Sequence, residues 1–456
     1  MEGAIKNSII LFVFGLIGIL FLAKKISLED SFVILLPFKG INFDVGLMLY
    51  AYQVILIFLL IKMFFFRFRS IVVPKFLFFY LIFISITTVV VSVLFVNFVK
   101  VENGNFFREE GRFMTQLIVL WLFQYSVVFY VVSSEWNTDR IKKAIKYFLL
   151  SATFLGVLGI IQLLAFLIFK IDILPIQIKE DGYVRTGLLQ TAAGDMFIRI
   201  CSLGGEPKGF AITEVVAFSM IYILRKFKIF LFSKKVTRLM MRLFIVVILL
   251  SFSTSAWVML LAFPFLVFIL DVVSLQVKLS VRRVASLALS ITILAAFSFY
   301  FWDYIYYFIN ARILERNIVG EDFDAVIQSF LVDKPIWAVF GSGLGNIHNM
   351  ANGYVPSELS FFMGNTIIVA KSGYLKIISE QGVVGFLIFF MMIGYYLYLG
   401  HKFSPKERIV KALIYLFLVL LVFFLMRTYA MMEFLFVLGL FLATIRSFVR
   451  KGSYFL

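Results

Sequence analysis

The sequence predicts an all-α fold, a polytopic bundle of about twelve transmembrane helices with two long external loops that contain short amphipathic helices. Of the 456 residues, 62% are hydrophobic and only 15% are charged, and the mean hydropathy is +1.02. Soluble domains are nearer half apolar and a quarter charged. Apolar runs alternate with short basic joints along the chain. We therefore expect an integral membrane protein in a lipid bilayer, folded as a single domain over residues 1–456.

The predicted spans are apolar runs close to the roughly 20 residues that cross a bilayer. They cover residues 9–23, 45–61, 76–96, 114–132, 147–169, 210–224, 239–252, 256–273, 284–301, 383–400, 410–426 and 432–448. Residues 31–38 form a run that is too short to cross. We expect that segment to lie at the interface or to extend the first hairpin.

The positions of the basic residues predict the orientation. The net charge is +17, and Lys and Arg concentrate in every second joint, at residues 62–75, 140–146, 225–238, 278–283 and 402–408. Positively charged joints face the cytoplasm. Both termini are therefore predicted to be cytoplasmic, and residues 170–209 and 304–382 form the two long external loops. Because such joints contact anionic lipid headgroups, the charge does not indicate a nucleic-acid partner. The single cysteine, Cys201, excludes an intramolecular disulfide and a multi-cysteine metal site.

The first external loop carries Arg185 and Arg199, and then Glu206-Pro207 just ahead of a span. Arginine keeps its charge and can hold a phosphate group bidentately, and the nearby glycines let backbone approach a ligand. In the alternative interpretation, the arginines extend to lipid headgroups and the glycines make turns. For either arginine alone the alternative is slightly preferred. The set as a whole favours a functional site, because the second loop repeats it.

The second external loop contains a predicted helix. Apolar residues recur at helical spacing from Phe323 to Leu331, and Lys334-Pro335 ends the run. This pattern is typical of an amphipathic helix on a membrane surface. The preceding Asp322-Phe323-Asp324 matches a metal-binding pattern of some glycosyltransferases. Acidic residues are also favoured at a helix N-terminus, and we prefer that interpretation.

Three glycines follow in the same loop, at Gly341, Gly343 and Gly345. The cluster lacks the Lys-Ser/Thr of a phosphate-binding P-loop. His348, one of only two histidines, comes directly after it. A lone histidine is more often structural than catalytic, but this one lies in the loop that already carries arginines. We weigh the structural and functional interpretations of His348 equally.

Taken together, these segments resemble the O-antigen polymerase and ligase superfamily of bacterial integral membrane glycosyltransferases. The resemblance rests on Arg312, Asp333-Lys334-Pro335, the glycines at 341–345 with His348-Asn349, and Ser379-Glu380-Gln381-Gly382. The segment from Arg199 through Gly204-Gly205-Glu206-Pro207 resembles the other external-loop motif of the family. One position departs from the pattern: the family often has Ser-Arg at a short external turn, where this chain has Ser255-Ala256.

The resemblance implies a metal-independent, inverting glycosyltransferase without a cofactor, acting at the outer face of a bacterial inner membrane. Its substrate would be a polyprenyl-diphosphate-linked oligosaccharide, and a chain-length regulator would be a membrane partner. Arg199 and Arg312 are predicted to hold the diphosphate, with Arg185 and Arg316 as second choices. His348 or Glu206 would act as the base on the acceptor hydroxyl, and Gly341, Gly343 and Gly345 would shape the loop.

Three functions stay open at this stage. Glu206-Pro207 favours a polymerase of polysaccharide repeat units over the ligase that hands glycan to lipid A-core. A flippase or other transporter is the third. Transporters usually place polar groups within their spans, whereas Glu214 and Glu433 lie close to span ends here and most polarity is in the loops. This distribution disfavours transport.

Overall fold

The computed structural model describes residues 2–44, 48–67, 71–97, 111–134, 136–174, 188–190, 196–274, 323–355, 368–403 and 407–449. The chain forms two compact units. Unit 1 comprises Met1–Ile82, Ile118–Phe263 and Phe389–Leu456, and unit 2 comprises Phe83–Leu117 and Pro264–Ile388. Within the described residues the fold is all-α apart from two short antiparallel hairpins, β1 (Asn42–Asp44) with β2 (Met48–Tyr50) and β3 (Leu188–Gln190) with β4 (Met196–Ile198).

The helices follow the apolar runs. In chain order they are α1 (Glu2–Leu22), α2 (Leu28–Leu35), α3 (Ala51–Arg67), α4 (Lys75–Leu94), α5 (Arg112–Ile118), a π-helical turn (Val119–Tyr125), α6 (Ser126–Ser133), α7 (Thr138–Phe169), α8 (Pro207–Lys226), α9 (Lys234–Leu250), α10 (Thr254–Val273), α11 (Asp324–Asp333), α12 (Pro335–Phe340), α13 (Ile347–Ala351), α14 (Gly373–Phe403), α15 (Arg408–Met426) and α16 (Met431–Val449). Short 3₁₀ turns lie at Asn352–Tyr354 and Thr428–Ala430.

Eight helices in the described part of the chain are long and apolar enough to cross a membrane. They confirm the predicted class of all-α, multi-pass membrane protein. The predicted runs at 9–23 and 45–61 form helices whose apolar stretches are shorter, Ile10–Phe21 and Ala51–Phe66. The run at 284–301 lies outside the described residues, so the total of about twelve stays a prediction.

Unit 1 contains a segment whose course the sequence did not predict, residues 28–40. Its first residues contact the basic joints, because Lys62 Nζ lies 3.3 Å from Glu29 Oε1 and Lys143 Nζ lies 2.9 Å from Asp30 Oδ2. Within the segment, Phe32, Val33, Leu35 and Leu36 are all buried. The run was expected to lie at the interface or to extend the first hairpin, and the structure shows that its side chains are packed inside the protein.

The far end of this segment lies among the loops at the other end of unit 1. Lys39 Nζ lies 2.6 Å from Glu433 Oε1 at the start of α16, and Gly40 N donates to Leu203 O at 2.9 Å. The opposite end of α16 returns to the joints, where Arg446 donates to Val132 O. Residues 24–30 therefore share an end of unit 1 with the basic joints. The predicted alternation of joints implies that residues 24–44 lie opposite the basic joints, whereas residues 24–30 lie beside them.

In unit 2, the predicted amphipathic helix is α11. Its apolar residues, including Ile327 and Phe330, pack with Ile347, Ala351 and Leu375 in one cluster of buried side chains. The face that was expected to lie on a membrane is thus covered by protein. Exposed apolar side chains belong instead to the end of α11 and to α12, at Val332, Ile336, Val339 and Phe340.

Asp324 begins α11 but serves a different helix. Its carboxylate accepts hydrogen bonds from Lys371 N at 2.8 Å and Ser372 N at 3.2 Å, just before α14 starts at Gly373. These amides belong to the turn that leads into α14 and have no partner within that helix. The second aspartate of the 322–324 pattern therefore joins two segments of unit 2 through backbone contacts.

Candidate functional site

Two sequence motifs of unit 2 meet through their backbones. Residues 341–345, here called the glycine loop, run beside the last residues before a break in α14. Ser342 N donates to Ser379 O at 2.8 Å, and Gly343 N donates to Glu380 O at 2.9 Å. The break is at Gly382, which has φ +71° and ψ 177° inside an otherwise helical segment. The glycine loop thus provides partners for carbonyls that the interrupted helix leaves open.

Glycine is required where the loop meets the break. Gly341 has φ +82°, and a Cβ there would lie 2.5 Å from Glu380 O, from the carbonyl carbon of Gln381 and from Gly382 N. Those atoms are backbone and cannot rotate away. Gly343 and Gly345 also take positive φ, at +77° and +78°, so the loop follows a path that side chains disfavour at each of the three positions.

The rest of the loop is held by polar groups of α4. Leu344 N donates to Thr88 Oγ1 at 3.0 Å, and Asn346 Nδ2 donates to Ser92 Oγ at 2.8 Å. Asn346 Nδ2 also donates to Ser342 O at 2.9 Å. The glycine loop is consequently fixed on both sides, and it presents α13 and His348 in one orientation.

His348 is placed as a hydrogen-bond donor. The residue is 5% exposed, and its Nδ1 accepts a hydrogen bond from Ile368 N at 3.2 Å. In the neutral imidazole the proton then resides on Nε2, which is buried and has no hydrogen-bond partner among the described residues. Burial and the charge of Arg112 lower the pKa of His348 from 6.5 to about 4. The ring is therefore neutral near pH 7 and offers an Nε2–H group, whereas the family resemblance made His348 one of two candidates for the base.

Arg112 and Glu380 complete this site, and the sequence analysis assigned a role to neither. Arg112 is 9% exposed, and a Cβ on Gly345 would lie 3.3 Å from its Cγ. Glu380 is 4% exposed; its Oε1 accepts from Gly345 N at 3.4 Å, and its Oε2 is buried without a partner among the described residues. Arg112 could have been found as an arginine that begins a span, and Glu380 as an acid in the motif at 379–382.

In unit 1, Glu206 lies at the start of α8 next to an aromatic residue that the sequence analysis missed. Tyr429 donates from its hydroxyl to Glu206 Oε2 at 2.9 Å. Lys208 Nζ lies 5.5 Å from the centroid of the Tyr429 ring. Burial, with a further contribution from the Glu206 carboxylate, raises the pKa of Tyr50. Glu206 is thus a partly buried carboxylate that accepts a hydrogen bond from Tyr429 and acts electrostatically on Tyr50.

A second carboxylate of unit 1 lies deeper. Glu433 is fully buried, and its Oε1 contacts Lys39 Nζ at 2.6 Å and accepts from Thr213 Oγ1 at 2.9 Å. Lys39 Nζ also donates to Tyr429 O at 2.9 Å. These four residues, Lys39, Thr213, Tyr429 and Glu433, form the Glu433 network. It fixes the 3₁₀ turn that carries Tyr429, and so it positions the partner of Glu206.

The predicted diphosphate-binding arginines have different outcomes. Arg199 follows β4, and its Nε donates to Ser251 O at 3.2 Å, beside the turn between α9 and α10. Arg185, Arg312 and Arg316 lie outside the described residues, as does Asp322. Within the described ranges, no group of three or more His, Cys, Asp or Glu side chains could hold a metal ion.

Comparison with known proteins adds no family to this description. No protein-family model matches the sequence, and no curated protein matches it.

Proposed function

We propose that this protein is a membrane glycosyltransferase that polymerises polysaccharide repeat units, transferring glycan from a polyprenyl-diphosphate carrier to an acceptor sugar hydroxyl. The observation that supports it best is the site of unit 2. There a buried guanidinium, an imidazole N–H and a carboxylate oxygen lie around one rigid glycine loop. The resemblance of the sequence motifs to the O-antigen polymerase and ligase superfamily indicates the class of substrate.

The two donors suit a diphosphate leaving group. Negative charge develops on the bridging oxygen as the bond from the sugar to the diphosphate breaks, and buried donors stabilise that charge better than water does. Arg112 supplies a permanent charge. His348 supplies Nε2–H, and its low pKa keeps the ring neutral, so the site does not hold two repelling cations when it is empty.

Glu380 suits the acceptor. In an inverting displacement the acceptor oxygen attacks the anomeric carbon, the bond to the diphosphate breaks with its electron pair, and the hydroxyl proton needs an acceptor. Glu380 Oε2 is buried and has no partner among the described residues. It takes the role that the sequence analysis gave to His348 or Glu206, because Nδ1 of His348 already accepts the Ile368 amide.

The contact made by Arg199 lies at the turn where this chain departs from the family motif. The family often has an arginine at the turn where this chain has Ser255-Ala256. The Arg199 side chain reaches the same turn from β4 and donates to Ser251 O. A guanidinium is therefore supplied to this turn from another part of the chain, which supports the predicted role of Arg199.

A lipid-linked oligosaccharide transporter is a second candidate, and one observation favours it. Glu214 and Glu433 are both fully buried in unit 1, and neither carboxylate oxygen of Glu214 has a hydrogen-bond partner among the described residues. Acidic groups inside membrane spans often mark transport or proton pathways. The sequence-based objection to transport rested on the closeness of these residues to span ends; Glu433 does lie in the first turn of α16, but the full burial of both carboxylates weakens the objection.

The experiment is reconstitution in liposomes with polyprenyl-diphosphate-linked repeat unit as the only glycan, and products are resolved on a gel. Wild type is expected to give a ladder. Arg112→Gln and His348→Gln each remove a positioned donor and are expected to slow ladder formation about 100- to 1,000-fold. His401→Gln and Arg408→Gln change exposed residues of the same types and should leave the ladder intact.

The other outcomes separate the candidates. A single transferred band that appears only after lipid A-core is added would identify a ligase. Lipid-linked glycan that moves to the opposite leaflet without elongation would identify a transporter and contradict the proposal. A normal ladder from both donor variants would remove the unit-2 site from the reaction.

A further inference from the structure

The strongest unassigned feature is a cavity of about 920 Å³ at the basic-joint end of unit 1. It lies where α1 ends and α2 and α7 begin. Four basic side chains line it, from Lys24, Lys25, Arg140 and Lys143. Two acidic side chains, Asp30 and Asp139, line it as well. The lining therefore has more positive than negative groups.

Three of the nearby cations already have carboxylate partners. Asp30 Oδ2 lies 2.9 Å from Lys143 Nζ, and Glu29 Oε1 lies 3.5 Å from Arg140 Nη2. Asp139, the other acid of the lining, lies 3.5 Å from Nζ of Lys142, a lysine that does not line the cavity.

Lys24 and Lys25 are the cations left over. Both are exposed, and neither ammonium group contacts a carboxylate in the part of the chain that the structure describes. Lys24 follows the C-terminus of α1. The helix dipole gives that end about half a negative charge, which offsets only about half of one lysine charge. Two adjacent positive charges at the mouth of a cavity that contains paired acids call for an anionic ligand.

The same cavity continues onto an apolar surface. Phe21 is part of its lining and is 44% exposed. On the same helix Leu16 and Ile19 are 47% and 66% exposed. Between Ile10 and Phe21, Val13 alone is buried. A ligand here would contact cations at one end and uncovered apolar side chains at the other, which is the chemistry of a phospholipid rather than of a free phosphate ion.

We propose that this cavity is a binding site for the headgroup of an anionic phospholipid, with Lys24 and Lys25 holding the phosphodiester and an acyl chain lying along α1. Basic pockets between helices at the cytoplasmic face are a known mode of anionic lipid recognition. A bound lipid would cover the exposed apolar side chains of α1 and would hold α1 against α7. The lining shares no residue with the polar groups used in the proposed reaction.

The test is lipid binding by native mass spectrometry of the full-length protein in detergent, titrated with phosphatidylglycerol, phosphatidylcholine or inorganic phosphate. Each lysine near an anionic headgroup contributes about fivefold in affinity. We therefore expect Lys24→Gln/Lys25→Gln to weaken phosphatidylglycerol binding about thirtyfold. Lys234→Gln/Lys235→Gln, an exposed pair at the start of α9 away from the cavity, is the matched control and should bind as wild type does.

Thermal unfolding gives a second measurement of the same site. Phosphatidylglycerol should raise the unfolding temperature of the wild type and of the control pair, and not that of the Lys24/Lys25 variant. Equal losses in the two double variants would show general surface attraction and overturn the proposal. Equal binding of phosphatidylcholine would also overturn it. Displacement of the lipid by millimolar inorganic phosphate would do the same, because it would identify a simple anion site.

Discussion

The Glu433 network of unit 1 and the glycine-loop site of unit 2 are both buried and polar, but they satisfy their polar groups in different ways. Around Glu433 the opposite charges are in contact, and Lys39 also holds the backbone of Tyr429. In the glycine loop all five backbone amides donate hydrogen bonds, while Nε2 of His348 and Oε2 of Glu380 have no partner among the described residues.

This difference distinguishes a structural network from a candidate binding site. Buried polar groups in proteins are almost always hydrogen-bonded, so an unsatisfied one calls for a ligand, a water or a functional reason. The Glu433 network pairs its opposite charges through Oε1 and thereby fixes a turn, although Oε2 of Glu433 also has no hydrogen-bond partner among the described residues. The glycine-loop site uses its backbone for rigidity and leaves side-chain atoms available. In unit 1, neither carboxylate oxygen of Glu214 has a hydrogen-bond partner among the described residues, which is why transport stays the second candidate.

The largest expected effect tests whether the Glu433 network is structural. Lys39→Met removes the cation and leaves the Glu433 carboxylate buried without compensation, which typically costs about 3–5 kcal/mol. The double variant Lys39→Met/Glu433→Gln removes both charges and should recover most of that loss. Unfolding by guanidinium in micelles would measure both. If the double variant is no more stable than Lys39→Met, the pair does not stabilise unit 1 as an ion pair.

The next effect tests the rigidity of the glycine loop. Gly341→Ala forces alanine into positive φ and places its Cβ 2.5 Å from backbone atoms of residues 380–382. We expect a loss of about 2–4 kcal/mol, from left-handed strain and from displacement of the loop. Gly353→Ala is the matched control, because a Cβ there meets nothing within 4 Å. If Gly341→Ala and Gly353→Ala lower the unfolding temperature equally, the loop tolerates movement.

The two regions also differ in how far the sequence could predict them. The fold class followed from apolar runs, because any helix exposed to lipid must be long and uncharged. The apolar runs did not predict the course of residues 28–40. Length criteria assume that a segment faces lipid, whereas this one is covered by protein and its carboxylates are neutralised by Lys62, Arg140 and Lys143.

Within the site, motifs were predictable and partners were not. The glycines at 341–345 and the motif at 379–382 are visible as unusual local sequence, but their backbone pairing joins segments that are far apart in the chain. Arg112 is visible only as an arginine at the start of a span, and no local pattern relates it to the glycine loop. The role of His348 depended on one hydrogen bond, from Ile368 N to Nδ1, which no spacing encodes.

The smallest expected effect concerns the charge state of His348 in the glycine-loop site. Its pKa is about 4 in the folded protein and near 6.5 when unfolded. Between those values the unfolded chain binds more protons, so the stability that His348 contributes is complete above pH 6.5 and decreases as the pH falls toward 4. From pH 6.5 to 5 we expect a loss of about 1–2 kcal/mol for this residue alone. The difference between wild type and His348→Gln in guanidinium unfolding across this range isolates it, because other titrating groups cancel.

A phosphate-containing ligand bound beside Arg112 would offset that charge and raise the pKa of His348, so the pH dependence should weaken when lipid diphosphate is added. An unchanged pH dependence with saturating ligand would argue that the diphosphate binds elsewhere.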